Sequence, residues 1–381
     1  MADTRQDQRQ AQAAQAQEEF MPIKNWDYIE FYVGNAKQAA HYYSMTYGFV
    51  PTAYAGLETG VRDRASYVLE QGKIRLVFTT ALTADSPIAR HAMLHGDGVK
   101  DIALQVPDAT KAFHEAVSRG ARPAQEPTAE EDANGRVVRS AIYTYGETIH
   151  SFVEREDYAG PFLPKYRALT PTDAQLARQS GLAAIDHVVG NVELGKMNEW
   201  VEFYERTMGF SQIIHFTDEA ISTEYSALMS KVMQGGHGKV KFPINEPAVG
   251  RKKSQIQEYL DYYGGPGAQH IAMLTGDIRK TVTQLQAQGV EFLPGMTSYY
   301  DDLEARVGKI DEPLDELAKL GILVDRDDDG YLLQIFTKNM QDRPTMFLEV
   351  IQRKGARGFG EGNFKALFQA IEREQELRGN L

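Results

Sequence analysis

Apolar residues recur three and four positions apart over residues 277–289, where Ile278, Val282 and Leu285 fall on one helical face between Asp277 and Gly289. An Asp side chain can accept the first free backbone N–H groups of a helix, and a glycine can turn left-handed at its end, so this punctuation predicts a helix. Residues 108–120 carry the same signals, with Asp108 in front and Gly120 behind. Around these helices stand short β-prone phrases: Ile185-Asp186-His187-Val188-Val189, Gln269-His270-Ile271-Ala272-Met273 and Met346-Phe347-Leu348-Glu349-Val350-Ile351. The pattern predicts an α+β chain in which helices cover one face of a curved, mostly antiparallel sheet. Near the end, Phe364, Leu367, Phe368 and Ile371 make an apolar stripe on a helix running toward Arg378. That helix is entered through Gly358, Gly360 and Gly362, which suit a hinge and make it a candidate lid.

The pattern occurs twice. Trp26-Asp27-Tyr28-Ile29 followed by Tyr43-x4-Gly48-Phe49 answers to Ile185-Asp186-His187-Val188 followed by Tyr204-x4-Gly209-Phe210. Asp101-Ile102-Ala103-Leu104, Asp108 and Gly120 answer, at one constant offset, to His270-Ile271-Ala272-Met273, Asp277 and Gly289. Each half closes on an acid after a strand-like phrase, Phe152-Val153-Glu154 and Phe347-Leu348-Glu349, so Glu154 reads as the counterpart of Glu349. The expected division is a disordered tail over 1–20, an N-terminal domain without metal over 21–160, and a C-terminal catalytic domain with the lid helix over 180–381. Each domain would hold two paired modules. The tail has almost no large apolar residue before Phe20.

Composition narrows the chemistry. The 381 residues suffice for two cores, and 42% hydrophobic with 25% charged residues describes a soluble globular protein. There is no apolar run long enough for a bilayer and no signal-peptide core, so a cytoplasmic location is expected. The absence of cysteine excludes disulfides, thiolate nucleophiles, Cys-ligated zinc and iron–sulfur clusters. A formal net charge of −12 argues against nucleic acid or an anionic membrane, and Arg251-Lys252-Lys253 is too short to reverse it.

Only the second copy holds two histidines and a glutamate at matching places. A lone strand histidine is more often structural, and a lone strand glutamate usually faces water. Glu349, however, lies among Phe347, Val350 and Ile351, and a buried carboxylate calls for a cation. Two imidazoles and one carboxylate with open positions are what an oxygen-activating Fe(II) needs, so His187, His270 and Glu349 are the candidate ligands. Two other motifs are weaker. His95-Gly96-Asp97 is a short H-x-D match that reads as a turn in a glycine-containing loop. Asp325-x-Asp327-x-Asp329-Gly330 begins like a calcium loop, but Phe336 stands where the bidentate Glu should be, which leaves a solvated hairpin turn.

The second half also carries polar residues where strands should be apolar: Ser230, Asn245, Gln255, Gln269 and Gln334. Amides and hydroxyls orient a phenol or carboxylate without adding charge, and Phe336, Phe347, Phe364 and Phe368 can supply ring contacts. Gln269 adjoins a candidate ligand, so on a regular strand its side chain points the other way unless the backbone bends there.

The phrases Asp186-His187-Val188-Val189-Gly190-Asn191-Val192, Pro243-Ile244-Asn245-Glu246-Pro247, Gly267-Ala268-Gln269-His270-Ile271-Ala272, Leu333-Gln334-Ile335-Phe336-Thr337 and 347–353 closely resemble the 4-hydroxyphenylpyruvate dioxygenase family. The first half joins in through Val33-Gly34-Asn35-Ala36-Lys37-Gln38-Ala39. The resemblance implies the vicinal oxygen chelate fold, with two domains of paired βαβββ modules forming open barrel-like sheets. It implies Fe(II) on His187, His270 and Glu349, with no organic cofactor. The substrates would be 4-hydroxyphenylpyruvate and O2, and the products homogentisate and CO2, as in tyrosine and phenylalanine catabolism. By the same likeness Gln334, Asn245 and Gln269 take catalytic positions. Ser230, Pro243 and Gln255 line the substrate, Phe336 and Phe364 sandwich its ring with Phe347 and Phe368 nearby, and the last helix closes the cavity.

Three rivals remain. A hydroxymandelate synthase would share substrate and metal but oxidise the benzylic carbon, and the bulky Phe364 speaks for ring hydroxylation. A non-catalytic binding protein on the same fold would need no metal. A ring-cleaving extradiol dioxygenase would want a further histidine near the metal, for which His237 is the candidate. The first half, without metal, invites an interface role, and a homo-oligomer, dimer or tetramer, is expected.

Overall fold

The computed structural model describes residues 20–380, apart from 218–224, 226, 249 and 296–298, so most of the tail expected to be disordered lies outside the described residues. The first half runs β1 (Asn25–Tyr32), α1 (Ala36–Tyr47), β2 (Val50–Ala55), β3 (Arg64–Gln71), β4 (Ile74–Ala81), α2 (Pro87–His95), β5 (Gly98–Gln105), α3 (Ala109–Ser118), β6 (Pro123–Asp132), β7 (Gly135–Tyr143), β8 (Ile149–Glu154) and the short β9 (Arg167–Ala168). The second begins with one helical turn, α4 (Asp173–Leu176), then β10 (Leu182–Asn191), α5 (Met197–Met208), β11 (Ser211–Phe216), β12 (Ala227–Gly235), β13 (Val240–Ala248) and α6 (Gln255–Tyr263). It continues through β14 (Gly267–Thr275), α7 (Ile278–Ala287), α8 (Leu303–Val307), α9 (Leu314–Leu320), β15 (Leu323–Asp327), β16 (Gly330–Phe336), β17 (Phe347–Lys354) and α10 (Phe364–Leu377).

Local chemistry sets these ends. Asp108 and Asp277 cap α3 and α7 by accepting from the backbone N–H of Lys111 and Lys280. The repeated Tyr-x4-Gly-Phe phrase is a helix stop: Gly48 and Gly209 cap α1 and α5 with φ of 77° and 70°, where a side chain would be strained.

Each sheet is two βαβββ modules set side by side. The second has strand order β11-β12-β13-β10-β14-β17-β16-β15, and the first repeats it as β2-β3-β4-β1-β5-β8-β7-β6 with β9 added outside β2. In both, the leading strands of the two modules meet antiparallel, β1 with β5 and β10 with β14. Among the strands named, the parallel pairs join the first and last strand of a module. The largest apolar cluster runs through both halves, with Trp26 edge-on to Phe242 at 5.3 Å between ring centroids. On β10 the faces alternate: Val188 enters this core, while His187 and Val189 face the pocket.

Strand register corrects one expectation. Asp101 faces Ile149 across β5 and β8 as His270 faces Phe347 across β14 and β17. Two residues on, Ser151 therefore stands where Glu349 does. Glu154 answers instead to Gln352, and each accepts from the first N–H of a helix, that of Ala109 and of Ile278. In the first half Tyr28, Asp101 and Ser151 satisfy one another: the Tyr28 hydroxyl donates to Asp101 at 3.0 Å, and the Ser151 backbone N–H and hydroxyl do so at 3.0 and 2.6 Å. These hydrogen bonds occupy the acceptor atoms that a cation would use. They border a polar cavity of about 500 Å³ that also contains Arg139.

Burial pushes the Asp101 carboxyl up to about 7, against the pull of its Ser151 and Tyr28 hydrogen bonds. An unfolded aspartate titrates near ~3.9, so between these values the folded state holds a proton that the unfolded state has lost. Stability then falls as pH rises through that window. Asp101→Asn is expected to flatten the fall by up to about 1.4 kcal/mol per pH unit, read by urea unfolding at pH 5 and 7. Equal slopes for the two proteins would count against this titration.

Candidate metal centre

His187 comes from β10, His270 from β14 and Glu349 from β17, and among the described residues they form a buried group whose ligand atoms lie within 4.8 Å of one another. Glu349 sits between the imidazoles, its Oε2 lying 3.3 Å from His187 Nε2 and 3.4 Å from His270 Nε2. Both rings present Nε2 because their other nitrogen is engaged: His187 Nδ1 donates to Asp186 at 2.8 Å, and His270 Nδ1 donates to the Gln269 amide oxygen at 3.1 Å. Asp186 is in turn held by Arg353, Nε and Nη2 donating at 2.8 and 2.7 Å. The ring of Phe359 closes on His187 edge-on.

Two bulges make this convergence possible. The β10–β14 register slips between Ile185 and His187, and again between Val189 and Gly190, opposite Gln269. The second slip is the backbone bend that lets neighbours Gln269 and His270 line one cavity. The first half keeps the outer support without the ligands: Asp27, just before Tyr28, binds Arg155 at 2.7 Å as Asp186 binds Arg353.

The electrostatics of the triad suits a candidate cation site. Burial would raise the Glu349 carboxyl, but the two imidazoles outweigh it and hold it down at about 2. Burial lowers His187, yet Glu349 and Asp186 outweigh it and the net shift is upward, whereas for His270 burial wins and the shift is downward. A buried anion facing two fixed lone-pair nitrogens fits a divalent cation.

One cavity holds the triad together with Ser230, Pro243, Asn245, Gln255, Gln269, Gln334, Phe336, Phe347, Phe364 and Phe368. Gln255 is not on a strand: it opens α6 behind the Ser254 cap and reaches the cavity from the helix end. The Gln334 amide oxygen is buried without a partner, an acceptor available to a ligand's donor. Phe347 stacks on His270 at 4.7 Å between centroids, and Phe364 meets Phe216 edge-on. Sequence reasoning missed Val189, Phe216, Leu228, Val232 and Phe359 in this lining, while Leu367 comes from the apolar stripe of the last helix. The alternation of β10 pointed to Val189, but nothing local marked the others.

Three further motifs find their places. His237 is exposed in the turn Gly236–Gly238 and does not line the cavity. His95 is not in a loop but closes α2, while Asp97 accepts from the Gly34 N–H, so no H-x-D pair forms. The Asp325–Asp329 turn is a hairpin, yet its carboxylates do more than meet water. Asp327 accepts from the N–H groups of Arg357 and Gly358, and Asp325 from that of Gly362. With Arg353 donating to the Ala356 and Gly358 carbonyls, they pin the glycine segment that leads into α10. In it Gly360 is left-handed, φ 79°, and an added Cβ would lie 2.4 Å from the Gln334 amide oxygen.

A family model described as hydroxyphenylpyruvate dioxygenase, N-terminal, matches residues 17–161, and one for the glyoxalase/bleomycin resistance protein/dioxygenase superfamily matches 184–335. The chain is 46% identical over 369 residues to a 4-hydroxyphenylpyruvate dioxygenase of Yarrowia lipolytica, covering 94% of each chain. To that of Danio rerio it is 48% identical over 365 residues, covering 94% of this chain and 92% of the other. A solved triple mutant of 4-hydroxymandelate synthase from Streptomyces coelicolor superposes with a TM-score of 0.83 at 34% identity, over 93% of this chain and all of that one. The chain belongs to the 4-hydroxyphenylpyruvate dioxygenase family.

Proposed function

We propose that this member of the 4-hydroxyphenylpyruvate dioxygenase family converts 4-hydroxyphenylpyruvate and O2 to homogentisate and CO2, with Fe(II) held by His187, His270 and Glu349. The observation that carries the reading is the buried His-His-Glu group at the end of an amide-lined aromatic cavity. The family is one of metal-dependent dioxygenases, and iron is favoured by a donor set of two imidazoles and one carboxylate with open positions. Bound there, such an ion would supply a chelating centre for a 2-oxo acid and a site for O2 activation.

The chain's own residues do the positioning. Asp186 and Gln269 hold the two imidazole tautomers, and Arg353 holds Asp186. Ser230, Asn245, Gln255 and Gln334 offer neutral hydrogen-bonding groups to the phenol and oxo-acid ends, and Phe336 and Phe364 flank the ring. The cavity is narrow, about 70 Å³, and Phe364, Leu367 and Phe368 of α10 form one of its walls. That supports a lid role for α10, which is anchored at its far end by Arg378 to Glu258. Closure of the lid excludes water from the reacting centre.

Hydroxymandelate formation is the second reading, because the superposed synthase shares the architecture. The identities of 46% and 48% to the dioxygenases, against 34% to the synthase, favour the first. Incubation with 4-hydroxyphenylpyruvate and O2, with and without Fe(II), is expected to yield homogentisate and CO2 only when iron is present. Hydroxymandelate as the product, or turnover independent of metal, would overturn the proposal. No helix among the described residues is long and apolar enough to cross a membrane.

A further inference from the structure

The H-x-D motif that made no pair leads to a different group. His91 and His95 lie one turn apart on α2, their ring centroids 4.5 Å apart, and Glu147 approaches from the turn between β7 and β8. One ligand atom from each of the three falls within 4.8 Å of the others. His91 is 2% exposed, and neither of its ring nitrogens has a hydrogen-bond partner. Leaving both nitrogens of such a buried ring unpaired is costly.

His95 is oriented as a metal ligand would be. Its Nδ1 lies 2.6 Å from the Tyr263 carbonyl, which can only accept, so Nδ1 carries a hydrogen and Nε2 is the ring atom left to meet another group. That Nε2 has no hydrogen-bond partner and faces the Glu147 carboxylate at 3.6 Å. A cation between them would engage both atoms. The nearby Lys100 ammonium donates to the backbone carbonyl of Glu147. Burial, with smaller contributions from His95 and Lys100, pushes His91 down to about 3, so its imidazole is neutral and free to coordinate. Tyr263 stacks on His95 and Tyr32 meets His91 edge-on, which encloses the rings, while the Glu147 side chain is half exposed and leaves a wet side for a water ligand.

We infer that His91, His95 and Glu147 form a second metal site for a divalent transition ion of the zinc type, separate from the triad around Glu349. Two imidazole nitrogens, one carboxylate oxygen and a water complete a tetrahedral set. The site lies where the halves meet. Tyr263 ends α6, whose first residue Gln255 lines the catalytic cavity, and Arg343 donates to the Leu94 carbonyl alongside. A bound ion would tie α2 of the first half to α6 of the second.

The test is a titration of the untagged full-length chain, stripped with chelator, with Zn(II) and with Co(II), counting bound equivalents. The wild type is expected to bind two, and Glu349→Ala one. Glu147→Gln should also bind one, or bind the second at least about tenfold more weakly, while keeping its iron-dependent activity. His91→Ala removes a buried ring and can unfold the chain. Glu147→Gln changes a half-exposed side chain and keeps the result interpretable. Co(II) bands of tetrahedral intensity should persist in Glu349→Ala and vanish in Glu147→Gln. One equivalent in the wild type, or two of unchanged affinity in Glu147→Gln, overturns the inference.

Discussion

Glu349→Ala is expected to leave product formation below about 1% of wild type, because even an outer partner of a metal ligand is worth roughly 10–100-fold. The carboxylate is 3% exposed, and it is the one anion between the two Nε2 atoms. Without it two neutral imidazoles remain, a poor site for a hard divalent ion. Removing the anion from between two buried imidazoles also costs stability. The unfolding midpoint should therefore drop while circular dichroism keeps the folded signature, and iron content and homogentisate formation disappear. A variant that keeps a tenth of the activity, with stoichiometric iron, would remove Glu349 from the ligand set.

Asp186→Ala should fail in a second way. Its carboxylate receives two bonds from Arg353 and one from His187. Removal leaves a mostly buried guanidinium without its anion, and breaking a pair of this kind costs roughly 3–5 kcal/mol. His187 also loses the group that sets its tautomer, so metal affinity should fall by roughly 10–100-fold. The duplication supplies the control. Asp27 binds Arg155 in the half where Tyr28 replaces the ligand histidine. Asp27→Ala should show a similar loss in denaturant unfolding with metal affinity unchanged. If Asp186→Ala lowered stability but left metal binding at the wild-type value, its support of His187 would be refuted.

The two aspartate–arginine pairs show how the repeat divided its labour. Both halves retain the carboxylate and guanidinium that tie the first strand of one module to the last strand of the other. What differs is the inner set: the His-His-Glu group proposed to hold the cation in the second, and Tyr28, Asp101 and Ser151 joined by hydrogen bonds in the first.

Much of this was legible in the chain. Asp108, Asp277, Gly48 and Gly209 announce helix ends because capping depends on one residue and its near neighbours. The candidate ligands stand out by type, since a histidine or glutamate inside an apolar strand phrase needs a partner. The pocket amides are visible for the same reason, although Gln255 reaches the cavity from a helix rather than a strand. These are properties of residue identity and short-range order, which the sequence carries by itself: two copies of one α+β architecture, with oxygen-activating chemistry in the second.

Only the tertiary structure decided which side chains meet. A strand's period tells which residues share a face but not which residue lies opposite on the next strand, and one slip of register turns every side chain over. For that reason Ser151 rather than Glu154 answers to Glu349, and the slip opposite Gln269 brings it to the same cavity as His270. Asp186 with Arg353, and the His91–His95 pair with Glu147, are likewise contacts between residues far apart in the chain. Their positions follow from how strands and halves close on one another, and the free energy of that closure is spread over the whole core rather than written at either residue.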